Sequence, residues 1–294
     1  MACTASAHEK HHLHLLAALN ILFSITASLG NILIFIALRK EPSLHPPSKL
    51  LFQCLAATDL CVGLFSQPLF AVELISIALQ RLQLCYTVVK ANDIAGRTLS
   101  AVSLWTLTAI SVDRLLALVL GLRYKQTVTL RRIRGIVICN WIVNITVFCT
   151  LRLWLRSVTF WVISALIFTF LMVSTFCYIT IYLNLRQHQV EMQEQANEGQ
   201  PNRGRIPLNI ARYRKTVSTA LWVHLVLVVC YLPYGVDAFV SHFNVPYNYL
   251  SSRVTVTLIL FNSSLNPILY CWKIRGVRQA VKDIIRQTSC FSCQ

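Results

Sequence analysis

Charged residues are scarce in this chain and make up 13% of its 294 residues. A soluble domain carries about 25%, so the scarcity argues against an ordinary water-soluble fold. Acidic residues are the scarcest, with 11 against 27 lysines and arginines. An excess of positive charge can indicate nucleic-acid binding, but that function needs a solvated basic surface. Here the basic residues stand between long apolar runs, so we expect no nucleic-acid partner.

The sequence also has few groups that could carry out catalysis inside an apolar segment. An enzyme embedded in a membrane needs a catalytic pair, such as two facing carboxylates or a histidine cluster. His224 is the only histidine well inside an apolar run, and Asp59 is the only deep acid. The 11 cysteines mostly fall in apolar runs, where a free thiol behaves as a small hydrophobe. We therefore expect no enzyme and no resident cofactor.

Long hydrophobic runs are abundant, since 55% of the residues are hydrophobic and the mean hydropathy is +0.58. A transmembrane helix needs about 20 mostly apolar residues. Seven stretches qualify: 14–38, 48–75, 85–118, 134–154, 157–185, 214–240 and 248–271. The sequence predicts an all-α membrane protein, a seven-transmembrane helix bundle over 14–271. A short N-terminus (1–13) precedes it, its third inner loop spans about 186–213, and a tail (272–294) follows.

The distribution of lysine and arginine predicts how the bundle is oriented in the membrane. Cationic residues are enriched in cytoplasmic loops. Seven of the 27 fall on the minority side of the predicted bundle: Lys10, Arg81, Lys90, Arg97, Arg152, Arg156 and Arg253. We therefore expect a multi-pass protein of the plasma membrane with an extracellular N-terminus and a cytoplasmic C-terminus.

The tail alternates basic and apolar residues at helical spacing from Lys273 to Arg286. This pattern predicts an amphipathic helix that lies on the inner leaflet, with membrane lipid as a partner. Cys290 and Cys293 follow the helix and are candidates for palmitoylation.

Polar residues interrupt the apolar spans in the second, third and seventh segments. An ionisable group at mid-span faces the bundle interior and finds partners there. Carboxylate, hydroxyl and amide oxygens suit a small hydrated cation or a water cluster. Ordinary hydrogen bonds between helices would explain them equally well. The candidates are Asp59, Ser103, Asn262, Ser263 and Asn266.

Motifs occur one per span, in order, and together resemble the rhodopsin-like (class A) G-protein-coupled receptors. They are Gly30-Asn31, LAATDL with Asp59, Asp113-Arg114, Trp141, Tyr178, CYLPY with Pro233, and NPILY with Tyr270. The stretch 122–141, around the second inner loop, resembles the melanocortin and adenosine receptor branch.

The resemblance implies a receptor that binds an extracellular ligand and activates a heterotrimeric G protein, with arrestin and a receptor kinase as further partners. It implies that Asp113 restrains Arg114 until activation, and that two tyrosines swing inward to hold the active state. It also favours a sodium and water pocket, with sodium as an allosteric modulator, at the polar residues named above. The implied coupling and switch residues are Asp113, Arg114, Leu122, Tyr124, Tyr178, Asn266, Pro267 and Tyr270.

The chain departs from that family's pattern at three places. Tyr231 stands where the class usually has tryptophan. The segment RYRKT at 212–216 lacks the glutamate that pairs with the arginine in many relatives, so we expect measurable ligand-free signalling. Cys85 is offset from the family's usual disulfide cysteine. It is a free thiol or is bonded to Cys149 or Cys3.

The ligand is predicted from residues near the outer mouth of the bundle. Amine receptors of this class carry an aspartate 18 residues before the arginine, and that position is Gly96 here. A biogenic amine is therefore not expected, and a peptide or another small molecule is. The candidate ligand residues are Glu73, Asp93, Arg97, Tyr231, Tyr234 and Asp237. The alternative function is a membrane transporter or channel, which would need paired intramembrane charges and broken helices.

Overall fold

A computed structural model describes residues 7–40, 44–153, 158–197, 206–240, 249–273 and 275–291. Within these ranges the chain is helical throughout, with short turns and no strand. The helices are α1 (Ala7–Lys40), α2 (Pro46–Cys61), α3 (Gln67–Ala78), α4 (Leu82–Leu120), α5 (Tyr124–Thr127), α6 (Leu130–Leu153), α7 (Thr159–Asn197), α8 (Ile206–Val240), α9 (Tyr249–Lys273) and α10 (Arg275–Phe291).

The helices form the bundle that the sequence predicts. Six helical segments are long and apolar enough to cross a membrane, and 224–240 of α8 is a shorter apolar helix. One of the six joins α2 and α3 through a π-helical turn, Val62–Ser66, into a single segment from Pro46 to Ala78. The seven-helix fold class is therefore confirmed.

The bundle keeps an apolar core but differs from a soluble protein in having an apolar exterior and several buried polar side chains. Large apolar side chains point outward, as Met172 does with 70% of its surface exposed. Polar side chains such as Asn31, Asp59 and Gln67 are fully buried in the interior. Lipid accepts an apolar exterior, whereas polar groups must find partners inside the protein.

The bundle has two ends, which carry Arg114 and Glu73 respectively. The Arg114 end contains the C-terminal part of α4 and the first turn of α2, while the Glu73 end contains the C-terminal part of α3 and the first half of α4. Helix α10 packs at the Arg114 end against α1 and α9. It buries Val277, Val281 and Ile284, which share one helical face. The predicted amphipathic helix is therefore present.

Two predicted boundaries differ from the structure. Helix α1 begins at Ala7, inside the predicted short N-terminus, and buries Leu13 completely. Helices α7 and α8 extend to Asn197 and from Ile206, so most of the predicted loop 186–213 is helical. A polar composition shows that a segment leaves the lipid, but it does not end a helix. The stretch QVEMQEQ contains good helix formers and neither glycine nor proline.

Cys85 is disulfide-bonded in the structure, so the free-thiol alternative is wrong. Cys149, one of its two candidate partners, is a free thiol. Cys3, the other candidate, lies outside the described residues.

Helices α1 and α9 approach closely at Gly30. A Cβ atom at this position would lie 2.9 Å from both Cβ and Cγ of Pro267. The proline ring is rigid and cannot rotate away, so glycine permits the contact. Gly135 on α6 offers a matched comparison, because a Cβ there would meet nothing within 4 Å.

We predict that Gly30→Ala lowers the thermal unfolding temperature of the detergent-purified protein. Overpacking at a tight contact costs about 1–3 kcal/mol, which exceeds the gain in helix propensity from alanine. Gly135→Ala should leave the temperature unchanged or raise it slightly. Equal unfolding temperatures for the two variants would contradict the close packing of α1 on α9.

Candidate functional site

A buried carboxylate joins three helices near the middle of the bundle. Asp59 on α2 accepts hydrogen bonds from Ser103 on α4 at 3.1 Å and from Ser263 on α9 at 2.8 Å, both at Oδ1. Asn266 on α9 donates to Oδ2 at 2.7 Å. We call these four residues the Asp59 cluster. Its three donors are neutral, so the carboxylate is satisfied by hydrogen bonds without a bonded cationic side chain.

Asn262 was predicted to belong to the same site, but it takes no direct part in these bonds. Its side chain is buried, and its Nδ2 atom lacks a hydrogen-bond partner among the described residues. Asn31 of α1 instead reaches the segment, donating to the backbone oxygen of Ser263 at 3.0 Å. The structure therefore brings together four of the five predicted residues.

A second polar cluster lies at the Arg114 end. The guanidinium of Arg114 donates to Asp113 Oδ2 at 2.8 Å. The same carboxylate accepts hydrogen bonds from Ser48 at 2.8 Å and from the Tyr124 hydroxyl at 2.6 Å. We call these four residues the Asp113 cluster. Ser48 was not predicted, and its only sequence signal is a polar side chain in the first turn of a span.

Of the remaining predicted switch residues, Tyr270 approaches this cluster through Phe52, whereas Asn266 belongs to the Asp59 cluster and Pro267 lies against Gly30. The ring of Phe52 lies 5.8 Å from the Arg114 guanidinium and 5.2 Å from the ring of Tyr270. The Tyr270 hydroxyl lacks a partner within the described part of the chain. Leu122 takes no part in this cluster, because its side chain is 96% exposed in the short turn after α4.

Tyr178 belongs to a third polar group, between α4, α7 and α8. Its hydroxyl accepts a hydrogen bond from Ser111 at 3.1 Å. His224 lies beside it, with ring centroids 5.1 Å apart, and contacts Thr175 at 3.0 Å. His224 of α8 thus forms hydrogen bonds across the bundle to α7.

A cavity of about 170 Å³ opens toward the Glu73 end. All six predicted ligand residues line it: Glu73, Asp93, Arg97, Tyr231, Tyr234 and Asp237. Much of its wall is apolar and includes Leu104, Phe148, Ile163 and Phe170. We call it the Glu73 cavity. The arrangement provides a concave apolar surface with a few polar groups, which is typical of small-ligand sites.

Four charged side chains of the Glu73 cavity form two ion pairs with one another. Glu73 is 2% exposed, forms an ion pair with Arg253 through Oε1, and accepts a hydrogen bond from Asn92 at 2.8 Å through Oε2. Asp93 and Arg97 form a second ion pair, one helical turn apart, at 2.8 Å. Arg253 was assigned to the mouth of the bundle by charge alone. Its pairing with Glu73 could not be inferred from sequence.

Tyr231 connects the Glu73 cavity with the Asp59 cluster. It lines the cavity, yet its side chain is 2% exposed. Its hydroxyl donates to the backbone oxygen of Ser100 on α4 at 3.2 Å, one helical turn before Ser103. Ser103 in turn donates to Asp59. The position that departs from the family's tryptophan therefore carries a polar contact with α4 between the two sites.

The lipidation candidates are not tested by this geometry. Helix α10 reaches Phe291 and includes Cys290, whose side chain is not among those described, and Cys293 lies outside the described residues.

Comparison with known proteins identifies the fold family. The model of the family described as 7 transmembrane receptor (rhodopsin family) matches residues 30–160 and 146–270. The chain belongs to this family. It is therefore a ligand-binding, G-protein-coupled receptor in the membrane, and receptors of this family are not enzymes. The transporter or channel alternative is not favoured.

Individual relatives are moderately similar to this receptor. Melanocortin receptor 4 of Danio rerio is 28% identical, covering 88% of this chain and 80% of its own length. Trace amine-associated receptor 9 of Rattus norvegicus is 25% identical over 97% of this chain and 90% of its own length. Squid rhodopsin, at 17% identity, superimposes with a TM-score of 0.76 over 97% of this chain and 87% of its own.

We predict that Asp113→Asn raises the basal guanine-nucleotide exchange of the unliganded receptor about tenfold. The substitution removes the charge that attracts Arg114, and a hydrogen bond between charged groups contributes about 1.5–3 kcal/mol. Tyr124→Phe removes the 2.6 Å bond to Asp113 and the 3.0 Å bond to Ser48 but keeps the carboxylate charge, so it should give a smaller rise. The measurement is exchange on purified G protein at equal receptor concentration.

Asp283→Asn is the matched control, because Asp283 is an exposed carboxylate on α10 that bonds only to Gln279 in the described structure. It should leave exchange unchanged. An Asp113→Asn receptor that exchanges nucleotide at the wild-type rate would show that Asp113 does not restrain Arg114.

Proposed function

We propose that the ligand of this receptor binds in the Glu73 cavity and that Tyr231 passes its effect to the Asp59 cluster. The observation that carries the proposal is the position of Tyr231. It lines the cavity, and its hydroxyl donates to the backbone oxygen of Ser100, one helical turn before Ser103, which is bonded to Asp59. A ligand that displaces the Tyr231 ring must change the hydrogen bonds beneath it. Such a change biases the helix bundle between two states.

The ligand we propose is a peptide or a small molecule other than a biogenic amine. The cavity combines an apolar wall with carboxylate and guanidinium groups already paired within the protein. Gly96 lines it at the position where amine receptors carry their aspartate. The names of the relatives refer to melanocortins and trace amines, and that of a Xenopus laevis relative to lysophosphatidic acid. The missing carboxylate argues against the amines among these.

The Arg114 end is proposed to face the cytoplasm of a cell at the plasma membrane, with the N-terminus outside. Most lysines and arginines of the sequence fall in segments that the predicted topology assigns to this side, in accord with the positive-inside tendency. A G protein would bind there, at the Asp113 cluster and at exposed Leu122. We also propose anionic lipid along α10, palmitoylation of Cys290 and Cys293, and regulation by a receptor kinase and arrestin.

The Asp59 cluster is proposed to hold a sodium ion with water. It offers a buried carboxylate and two serine hydroxyls, and oxygen groups of this kind suit a hard cation. The bonded donors are neutral, so the ion would supply the positive charge that compensates the carboxylate. Unpartnered Asn262 Nδ2 nearby in the chain could bond to a water of the same site.

The receptor function is tested by nucleotide exchange on a panel of purified heterotrimeric G proteins. We predict that the wild-type receptor shows measurable ligand-free exchange on at least one of them. Arg114→Ala should abolish it, since Arg114 is the 42% exposed cation of the Asp113 cluster. Arg132→Ala, another exposed arginine at this end, serves as the control. Equal exchange by wild type and Arg114→Ala would refute the proposed coupling.

The sodium site is tested by thermal unfolding in sodium chloride and in choline chloride at equal ionic strength. Binding at concentrations several times the dissociation constant contributes about 1 kcal/mol, so sodium should raise the unfolding temperature by roughly 2–4 °C. Asp59→Asn should remove the difference, while Asp283→Asn should retain it. A sodium effect of the same size in Asp59→Asn would place the ion elsewhere.

A further inference from the structure

The wall of the Glu73 cavity has a recess at Gly96, where a side chain is missing. A Cβ atom at this position would lie 3.0 Å from Ser66 Oγ and 3.0 Å from Asn92 Oδ1. Both oxygens therefore converge on one point, and all three residues line the cavity. We call Ser66, Asn92 and Gly96 the Gly96 recess.

Both oxygens of the recess are buried without a hydrogen-bond partner in the described structure. Ser66 is fully buried, and its Oγ atom is unpaired. Asn92 Oδ1 is likewise buried and unpaired. Buried polar atoms in folded proteins nearly always find a protein group, water or ligand. Two such acceptors side by side in a cavity wall therefore indicate a group from outside the chain.

The direction of the Asn92 amide is set by its other end. Its Nδ2 atom donates to Glu73 Oε2 at 2.8 Å, and Arg253 pairs with the second oxygen of the same carboxylate. A flipped amide would place its oxygen against the carboxylate, which is unfavourable. The acceptor of Asn92 is consequently held in the recess.

The backbone of α2 and α3 places Ser66 on the opposite side. Ser66 ends the π-helical turn Val62–Ser66, which contains one residue more per turn than an α-helix. Such turns occur often at functional sites, because the extra residue rotates the side chains that follow it. Here the result is a serine hydroxyl that faces α4 at Gly96.

The chemistry of the recess favours an uncharged group. Its two acceptors are neutral, and the nearest bonded carboxylate, Glu73, is already paired with Arg253. An ammonium ion at these two neutral oxygens would lose its water without a free carboxylate in direct contact, because the Glu73 oxygens are bonded to Arg253 and Asn92. A neutral N–H or O–H group would satisfy both acceptors without that penalty.

We infer that the Gly96 recess binds a neutral hydrogen-bond-donating group of the ligand, a primary carboxamide or a hydroxyl. A carboxamide would donate one N–H to Asn92 Oδ1 and the other to Ser66 Oγ. A hydroxyl would donate to Asn92 and accept from Ser66. The apolar remainder of the ligand would pack on Leu104 and Tyr231. The inference rests on the proposed function, because it takes the Glu73 cavity to be the ligand site.

The test uses the full-length receptor in lipid nanodiscs and four probes with one phenylpropyl skeleton. They are 3-phenylpropanamide, its N,N-dimethyl derivative, 3-phenylpropan-1-ol and 3-phenylpropan-1-amine. Dissociation constants come from ligand-observed NMR, with empty nanodiscs to subtract partitioning into lipid. The amide and the alcohol should each bind about tenfold more tightly than the dimethylamide, the worth of one or two buried hydrogen bonds. The amine should bind no more tightly than the dimethylamide.

Two variants separate binding from structure. Ser66→Ala removes a hydroxyl that is unpaired in the free receptor, so the unliganded protein should melt at the same or a higher temperature. Its affinity for 3-phenylpropanamide should nevertheless fall several-fold. Gly96→Ala fills the recess and should abolish the preference for the amide over the dimethylamide. Gly135→Ala, where a new Cβ meets nothing within 4 Å, should leave both properties unchanged.

Several outcomes would overturn the inference. These are equal affinities for the amide and the dimethylamide, tightest binding by the amine, a preference that survives Gly96→Ala, or Ser66→Ala that lowers stability without lowering affinity. If none of the four probes binds, the inference is overturned as well. If Arg114-dependent nucleotide exchange persists in any of these cases, only the recess is wrong and the receptor function stands. Loss of that exchange is the separate failure of the proposed function.

Discussion

The fully buried carboxylate of Asp59 is the constraint on which the centre of this bundle depends. Its oxygens accept three hydrogen bonds, from α4 and α9. An unsatisfied charge in this position would cost far more than a membrane helix gains from its neighbours. The three helices must therefore keep one relative rotation and depth, which also determines what lies above and below the cluster.

Above the cluster, Tyr231 lines the Glu73 cavity and bonds to the Ser100 backbone oxygen, one helical turn before Ser103 of the cluster. Below it, α4 continues for about three turns to Asp113, where a second carboxylate binds Ser48, Tyr124 and Arg114. The two carboxylates differ in their environment. All the groups that donate to Asp59 are neutral. Asp113, by contrast, is paired with the partly exposed guanidinium of Arg114, which can leave Asp113 for another partner. The first arrangement suits a bound cation, and the second suits a switch.

Much of this architecture could be predicted because hydropathy reports the transfer of whole segments into lipid. The free energy of transfer into lipid predicts the seven spans, the amphipathic α10 and the burial of Asp59. Ser103, Ser263 and Asn266 could also be assigned to the interior, since polar groups in a span avoid lipid. Other features could not be predicted. The helices α7 and α8 continue beyond the lipid, because helix propensity, which hydropathy does not measure, decides where they end.

The sequence by itself determined the membrane-spanning fold, the receptor family, and which polar residues face inward. Only the tertiary structure decided which of them meet. Helical periodicity places a side chain on a face, but a hydrogen bond also requires the partner helix at the right rotation and height. For this reason Ser48 on Asp113, Arg253 on Glu73, and the two unpaired oxygens at Gly96 became visible only when the helices were packed.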